Sequence, residues 1–315
     1  MVEKLEADLH QANTPQEKIA LLNALSSAIK VSDLNRSLNY AVQAEQLATE
    51  SGHKKGLADA LLNKAIALAP HGQYDDVHAL LAQAQHLYEA LGDERGLANV
   101  LSNFGSLSVM KGDFAKALSD TQESLRLRQK LGDKLGEAAS LNNLGGIHHY
   151  LGNFDVALEY FLKSLKLKEE IGDTHGKAYT LGNIGSVYRR TGNVQLALDY
   201  HRQSIFLWQQ LGDKLGEART RGEIGILLAE KLRYEQAVQE LQTAKRIFEA
   251  HDNPHGLSNV HRNLADIYRY QQQLDKAFAE IRTGLRYSEA IGDKYGEMQA
   301  YFILGTLYAM RQRGD

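Results

Sequence analysis

Apolar residues return along this chain at alternating spacings of three and four. In residues 136–170, Ala138, Leu141, Leu144, Ile147 and His148 fall on one side of a helix with a period near 3.6. Gly152-Asn153 then breaks the pattern: Gly152 suits a left-handed cap, and Asn153 is placed to cap the next helix. That helix carries Phe154, Ala157, Leu158, Tyr160, Phe161, Ser164 and Leu165 on one face. Gly172 ends it, and Asp173 is placed to cap the helix that follows. The only prolines, Pro15, Pro70 and Pro254, lie between apolar-periodic segments. The pattern predicts pairs of antiparallel helices with short turns and no strand.

The same pair recurs. Leu91-Gly92-Asp93, Leu131-Gly132-Asp133, Ile171-Gly172-Asp173, Leu211-Gly212-Asp213 and Ile291-Gly292-Asp293 keep one phase, with a degraded copy at His251-Asp252-Asn253. A glycine follows at Gly56, Gly96, Gly136, Gly176, Gly216, Gly256 and Gly296, each forty residues after the last. Neither helix of a pair can bury its apolar stripe alone, so stacked hairpins must share one elongated core. The expected fold is all-α: a right-handed α-α superhelix of about fifteen helices, a single array over residues 1–315. Its units are 16–55, 56–95, 96–135, 136–175, 176–215, 216–255 and 256–295, with a partial unit at 296–315. Gly105, Gly145, Gly185, Gly225, Ala265 and Gly305 on the first helices, and Ala117, Ala157, Ala197, Ala237 and Ala277 on the second, are expected to mark close crossings. The first unit has Leu25 and Ser37 there and lacks the linker glycine, which suits a terminal cap. Tyr74, Tyr188, Tyr268 and Tyr308 read as hairpin packing.

Composition narrows the function classes. With 43% hydrophobic and 24% charged residues the chain is globular rather than disordered. It has no cysteine, which excludes disulfides and thiolate chemistry. A formal net charge of -3 gives no global attraction to nucleic acid or membrane. Residues 1–11 alternate acidic and basic groups without the apolar stretch of a secretory signal, and no helix or output segment is foreseen before residue 16. A cytoplasmic location is expected, without membrane insertion. Phosphate loops, nucleophile elbows and metalloprotease motifs are missing, so the expectation is a non-enzymatic chain with no cofactor. His148 and His149 point about 100° apart on a helix and do not share one ion; His148 reads as a core residue, and no metal is assigned.

The pattern Leu144-Gly145, Gly152-Asn153, Ala157, Phe161 resembles the tetratricopeptide repeat, or TPR. The forty-residue spacing and the phrase Leu181-Gly182-Asn183 resemble its long subclass, found in Leu-Gly-Asn repeat polarity adaptors and in bacterial TPR signalling proteins. Ala65 and Ala265 in place of the small glycine, and Lys231-Leu232-Arg233 and Gln271-Gln272-Gln273 in place of Gly-Asn turns, depart from that pattern. The resemblance implies that first helices line a concave groove for a peptide. In the family, asparagines at inner-helix positions contact the ligand backbone, which here implies Asn103, Asn143, Asn183 and Asn263. The same asparagines could instead bridge neighbouring hairpins. Arg189, Arg190, Arg219, Arg262 and Arg269 fall on the same implied face and would make a basic groove for an acidic protein segment. Glu223, Glu230 and Asp266 could instead neutralise them.

The leading expectation is therefore a non-enzymatic scaffold that binds a peptide or protein segment, acidic in character, in its groove. The alternative is a sensory or regulatory module of a larger bacterial signalling protein, with nucleotide or nucleic-acid binding as a minor third. Because the unit beginning at Gly296 runs out at Asp315, either continuation of the chain or self-association through that end is expected.

Overall fold

The computed structural model describes residues 2–30 and 33–314. Asp315, the last residue of the partial unit, lies outside them. Sixteen α-helices and one short 3-10 turn (Ala69–His71) make up the secondary structure, with no strand among the described residues. The helices gather into two compact units, divided between Asn153 and Phe154. The first holds α1 (Val2–Gln11), the hairpins α2 (Pro15–Ile29) with α3 (Leu34–Glu50), α4 (Lys54–Leu68) with α5 (Tyr74–Leu91) and α6 (Glu94–Met110) with α7 (Phe114–Lys130), and α8 (Lys134–Tyr150). The second holds α9 (Phe154–Glu170), the hairpins α10 (Thr174–Arg190) with α11 (Val194–Leu211), α12 (Lys214–Glu230) with α13 (Tyr234–Ala250) and α14 (Pro254–Tyr270) with α15 (Leu274–Ile291), and α16 (Lys294–Arg313).

The recurring aspartates are N-caps. Oδ1 of Asp93, Asp133, Asp173, Asp213 and Asp293 accepts the backbone N–H of the glycine three residues on, at 2.7–3.1 Å. Asn253 does the same for Gly256 at 2.7 Å, which is why the degraded copy still starts a helix. At the inner turn the asparagine reading holds less well. Asn193, which matches Asn153 in phase, makes no side-chain cap bond, and its amide donates to Thr191 instead.

The linker glycines are kept for space. A methyl on Gly96 would lie 2.2 Å from the Tyr88 ring, and one on Gly216 would lie 2.6 Å from the Trp208 ring. Phe248 closes over Gly256 in the same way, at 2.5 Å. From Gly96 onward, the side chain eight residues before the linker glycine thus plugs the joint between hairpins; at Gly56 the plug is Ile19. Where the plug is a cation it remains buried: Arg128 bonds the Gly136 carbonyl, and Lys168 bonds Thr180 at 2.7 Å. Burial pushes the Lys168 ammonium down to about 8, with Asp173 opposing the fall.

The small-residue crossings appear where expected within the hairpins. A methyl on Gly105 would meet Thr121 Oγ1 at 2.4 Å, and one on Gly225 would meet Leu241 at 2.7 Å. Gly305 has open space beside it. In the first hairpin the close crossing is made by hydroxyls: Ser26 donates to the Ser37 carbonyl at 2.8 Å, and Ser37 donates back to that of Ser26 at 2.9 Å. Helix α1 corrects the expectation of no helix before residue 16. It docks through Glu6, which accepts a bond from Tyr40 at 2.7 Å and pairs with Arg36. Ahead of α2, Thr14 and Glu17 form a capping box with Pro15 in the first turn.

Successive first helices touch one another: α2, α4, α6 and α8 in one unit, and α10, α12, α14 and α16 in the other. No comparable contact joins successive second helices among the described residues. The first helices therefore form the inner layer of each unit. At two inner turns the usual left-handed glycine is replaced, yet the backbone keeps its form: Leu232 and Gln272 both sit at φ 58°. An L-residue there costs about 1 kcal/mol. Gln272→Gly is accordingly expected to stabilise the second unit by about 1 kcal/mol in urea unfolding. A loss of stability would mean that contacts of the glutamine outweigh the backbone term.

Candidate functional site

On the inner layer of the first unit the asparagine donors are already committed. Asn23 donates to the Gly56 carbonyl at 3.0 Å, and Asn63 donates to both oxygens of Asn23 at 3.2 Å. Asn103 donates to the carbonyl of Asn99 in its own helix at 2.8 Å, and Asn143 donates to Ser102 Oγ one repeat back at 3.2 Å. These contacts join neighbouring hairpins or satisfy the helix backbone.

In the second unit the inner arginines divide into two groups. Arg189 bonds Glu230 at 2.5 Å across one repeat, with Glu223 at 3.9 Å. Arg269 holds Asp266 through Nε and Nη2, at 3.0 and 2.9 Å, and covers the Tyr270 ring at 4.3 Å. Arg262 donates to Asn259 at 2.5 Å and forms no ion pair among the described residues. Arg190 and Arg219 are exposed, also without an ion pair there. Glu223 sits deep between helices, although 41% of its side chain still meets solvent. Desolvation raises its carboxyl above the ordinary range, Arg189 lowers it and Glu230 adds to the rise. Water reaching the carboxylate limits that rise.

A cavity of about 400 Å³ opens on this inner layer between α12 and α14. Ile226, Leu232, Tyr234 and Tyr270 give it apolar walls, while Glu230, Asn263 and Asp266 supply the polar groups. Tyr270 stacks on Tyr234 with ring centroids 6.4 Å apart and remains 60% exposed. Leu232 is 72% exposed at the rim, so its strained backbone buries little apolar surface in return. Asn263 is half-buried and has no hydrogen-bond partner among the described residues. Its carboxamide is free to donate and accept. Asn183 is half-buried on α10. The structure thus brings Asn263 together with Asp266, Glu230 and Tyr270, while Arg189 of α10 is taken up by carboxylates.

Behind α10 lies His201, fully buried with neither ring nitrogen hydrogen-bonded, its ring filling the space left by Gly185. Burial, aided by the Arg189 charge, pushes its imidazole from 6.5 down to about 4. The folded state refuses a proton that the unfolded chain accepts. Its stabilising contribution is therefore full above pH 6.5 and lost as pH falls toward 4, by up to about 3 kcal/mol. His201→Leu, the residue that Leu81 and Leu241 place in the same phase, is expected to remove most of that acid sensitivity. Unfolding curves of both proteins between pH 4 and 7 check this; equal slopes would contradict it.

Residues 96–170 and 176–250 match the family described as tetratricopeptide repeat. Those two stretches are tetratricopeptide repeats. No curated protein sequence matches it. Among solved structures, the TPR chain is similar to a Rap protein complexed with competence and sporulation factor (TM-score 0.75, 14% identity, covering 92% of this chain and 80% of that one). It is also similar to the Rap conjugation gene regulator of plasmid pLS20 in complex with its Phr peptide (TM-score 0.69, 15% identity, 88% and 74% covered). A third likeness is to aspartyl phosphate phosphatase F from Bacillus subtilis (TM-score 0.64, 15% identity, 90% and 73% covered). At such identities the likeness is one of fold.

The third likeness corrects the expectation of a non-enzymatic chain. A protein called a phosphatase has this fold, so the lack of nucleophile and phosphate-loop motifs does not exclude catalysis. The physical reason is that an aspartyl phosphate is already an activated acyl phosphate. Its hydrolysis needs an aligned water and local charge stabilisation, which scattered polar side chains supply without a recognisable motif. Among the described residues no helix is long and apolar enough to cross a membrane, and no three His, Asp or Glu side chains cluster as metal ligands. His148 is half-buried beside Asn153, and burial lowers its imidazole.

Proposed function

We propose that this TPR chain is the sensory or regulatory module of a cytoplasmic signalling system and binds a peptide or protein segment on the inner layer of its second unit. The observation that carries the reading is the cavity between α12 and α14, where an uncommitted carboxamide, Asn263, stands among exposed apolar groups. One carboxamide matches the donor and acceptor of one peptide unit. Tyr270 and Leu232 offer the apolar contact that anchors a side chain. The similar Rap structures, one solved with a factor and one with a peptide, support a regulatory reading over a passive scaffold. The forty-residue register supports placing the repeats in the long subclass with Leu-Gly-Asn phrases.

Acidic character in the bound segment rests on Arg190, Arg219 and Arg262, the inner cations in no ion pair among the described residues. Glu230 and Asp266 at the cavity itself favour an apolar or basic residue there. Unbiased capture with the intact chain, followed by mapping of the shortest bound segment, provides the ligand for calorimetry. Tyr270→Ala is expected to weaken that segment by about 2 kcal/mol, roughly thirtyfold. Asn263→Ala should also weaken it, and neither change should shift the melting temperature. Unchanged affinity in both variants would move the ligand away from this cavity.

A further inference from the structure

The same hairpin carries a second cavity on the opposite side of α12. It measures about 460 Å³ and lies between the second helices α11 and α13, with α12 as its floor. Positions 224 and 228 of α12 face this outer cleft, and positions 226 and 230 face the inner cavity, as a period of 3.6 requires. Buried Leu198, Ile205, Ile224 and Leu228 make the floor apolar. Phe206 stands at the rim, 58% exposed. Arg221 is not free, because it bonds Glu240 at 2.7 Å and Glu217 at 2.9 Å and so ties α12 to α13.

The remaining cations are Arg202, held only by a long ion pair within its own helix, and Arg233. Arg202 has its nearest carboxylate, Asp199, at 3.9 Å, and its side chain is 66% exposed. The Arg233 side chain is exposed and forms no hydrogen bond or ion pair among the described residues, while its backbone N–H donates to the Leu228 carbonyl at 2.9 Å. The glutamines Gln236 and Gln239 line the same cleft and offer further carboxamides.

The repeat itself shows that these residues are out of place. The phase of Phe206 is held elsewhere by Gln46, His86, Arg126, Lys166, Arg246 and Arg286, all polar. The phase of Arg233 is held by Asp33, Gln73, Asp113, Asn153, Asn193 and Gln273. Arg233 precedes α13 as its N-cap residue and gives no side-chain cap bond, whereas Asp113 caps α7. A cation there also opposes the helix dipole. Two departures from the repeat, each unfavourable for folding or solubility, thus meet at one apolar cleft.

We propose that the outer cleft binds an acidic protein segment bearing a large apolar side chain. That side chain rests on Phe206 and the floor, and its flanking carboxylates pair with Arg202 and Arg233. The site is independent of the inner cavity. It gives the chain a second surface through which a bound state could be passed to another protein.

A labelled hexapeptide, Glu-Glu-Leu-Phe-Glu-Glu, is the probe, read by fluorescence polarisation at low salt. Comparison peptides are Lys-Lys-Leu-Phe-Lys-Lys and Glu-Glu-Ala-Ala-Glu-Glu. The acidic apolar peptide is expected to bind best, and the double variant Arg202→Glu with Arg233→Asp to weaken it at least about tenfold. Arg233→Asp alone should raise the melting temperature while weakening binding, which separates lost recognition from lost folding. Phe206→Gln should abolish the preference for Leu-Phe over Ala-Ala, and Tyr270→Ala should leave binding unchanged. Equal binding of the basic peptide, unchanged binding by the double variant, loss of binding on Tyr270→Ala alone, or no binding of the acidic peptide at millimolar concentration would each overturn the proposal.

Discussion

The hairpins can stack only because a glycine opens each first helix from α4 onward. With no side chain at that point, Ile19 closes over the joint at α4, and from α6 onward the residue eight positions before the glycine does so, among them Tyr88, Trp208 and Phe248. The aspartate three residues before the glycine fixes the same joint by capping its N–H. The cap and the plug together set the distance and angle at which one hairpin meets the next. The small crossings follow inside each hairpin, and the first helices are left close enough to form an inner layer within each unit. Even a buried arginine or lysine is tolerated as the plug, because a backbone carbonyl of the next hairpin accepts its protons.

Against so regular a frame, departures carry information. They concentrate around α12 and α13. Leu232 holds a glycine conformation, Arg233 replaces a capping acid or amide, and Phe206 replaces a polar surface residue. Each is unfavourable for the folded chain by itself. Leu232 lines the inner cavity, while Phe206 and Arg233 line the outer cleft. Repeat proteins tolerate such lapses because each hairpin answers mainly to its neighbours, so a local loss is not spread through the whole array. The two proposed recognition surfaces therefore meet at this one hairpin, on opposite sides of a single helix.

Much of the fold was legible in the sequence, because period, caps and small residues repeat and each copy reinforces the others. Helix α1 was not legible: it has no second copy, and its mixed charges hide a helix that docks through the Glu6 carboxylate and the Leu9 side chain. The serine crossing at Ser26 and Ser37 was missed because hydroxyls, not small size, bring those helices together. The site was only partly readable. The family resemblance implied Arg189, Arg269, Glu223, Glu230 and Asp266, but whether each cation meets a carboxylate depends on helix register and rotamer, which a period does not supply. The outer cleft left a signal that phase comparison could have found, the lone aromatic at Phe206 among polar equivalents.

Hydrogen-deuterium exchange of the chain with and without its captured partner segment tests the central claim most directly. The segment should slow exchange at residues 226–234 and 263–270, on both walls of the inner cavity, and leave residues 2–91 unchanged. Protection confined to residues 2–91, with no change at the cavity walls, would contradict the assignment of recognition to the α12–α14 region.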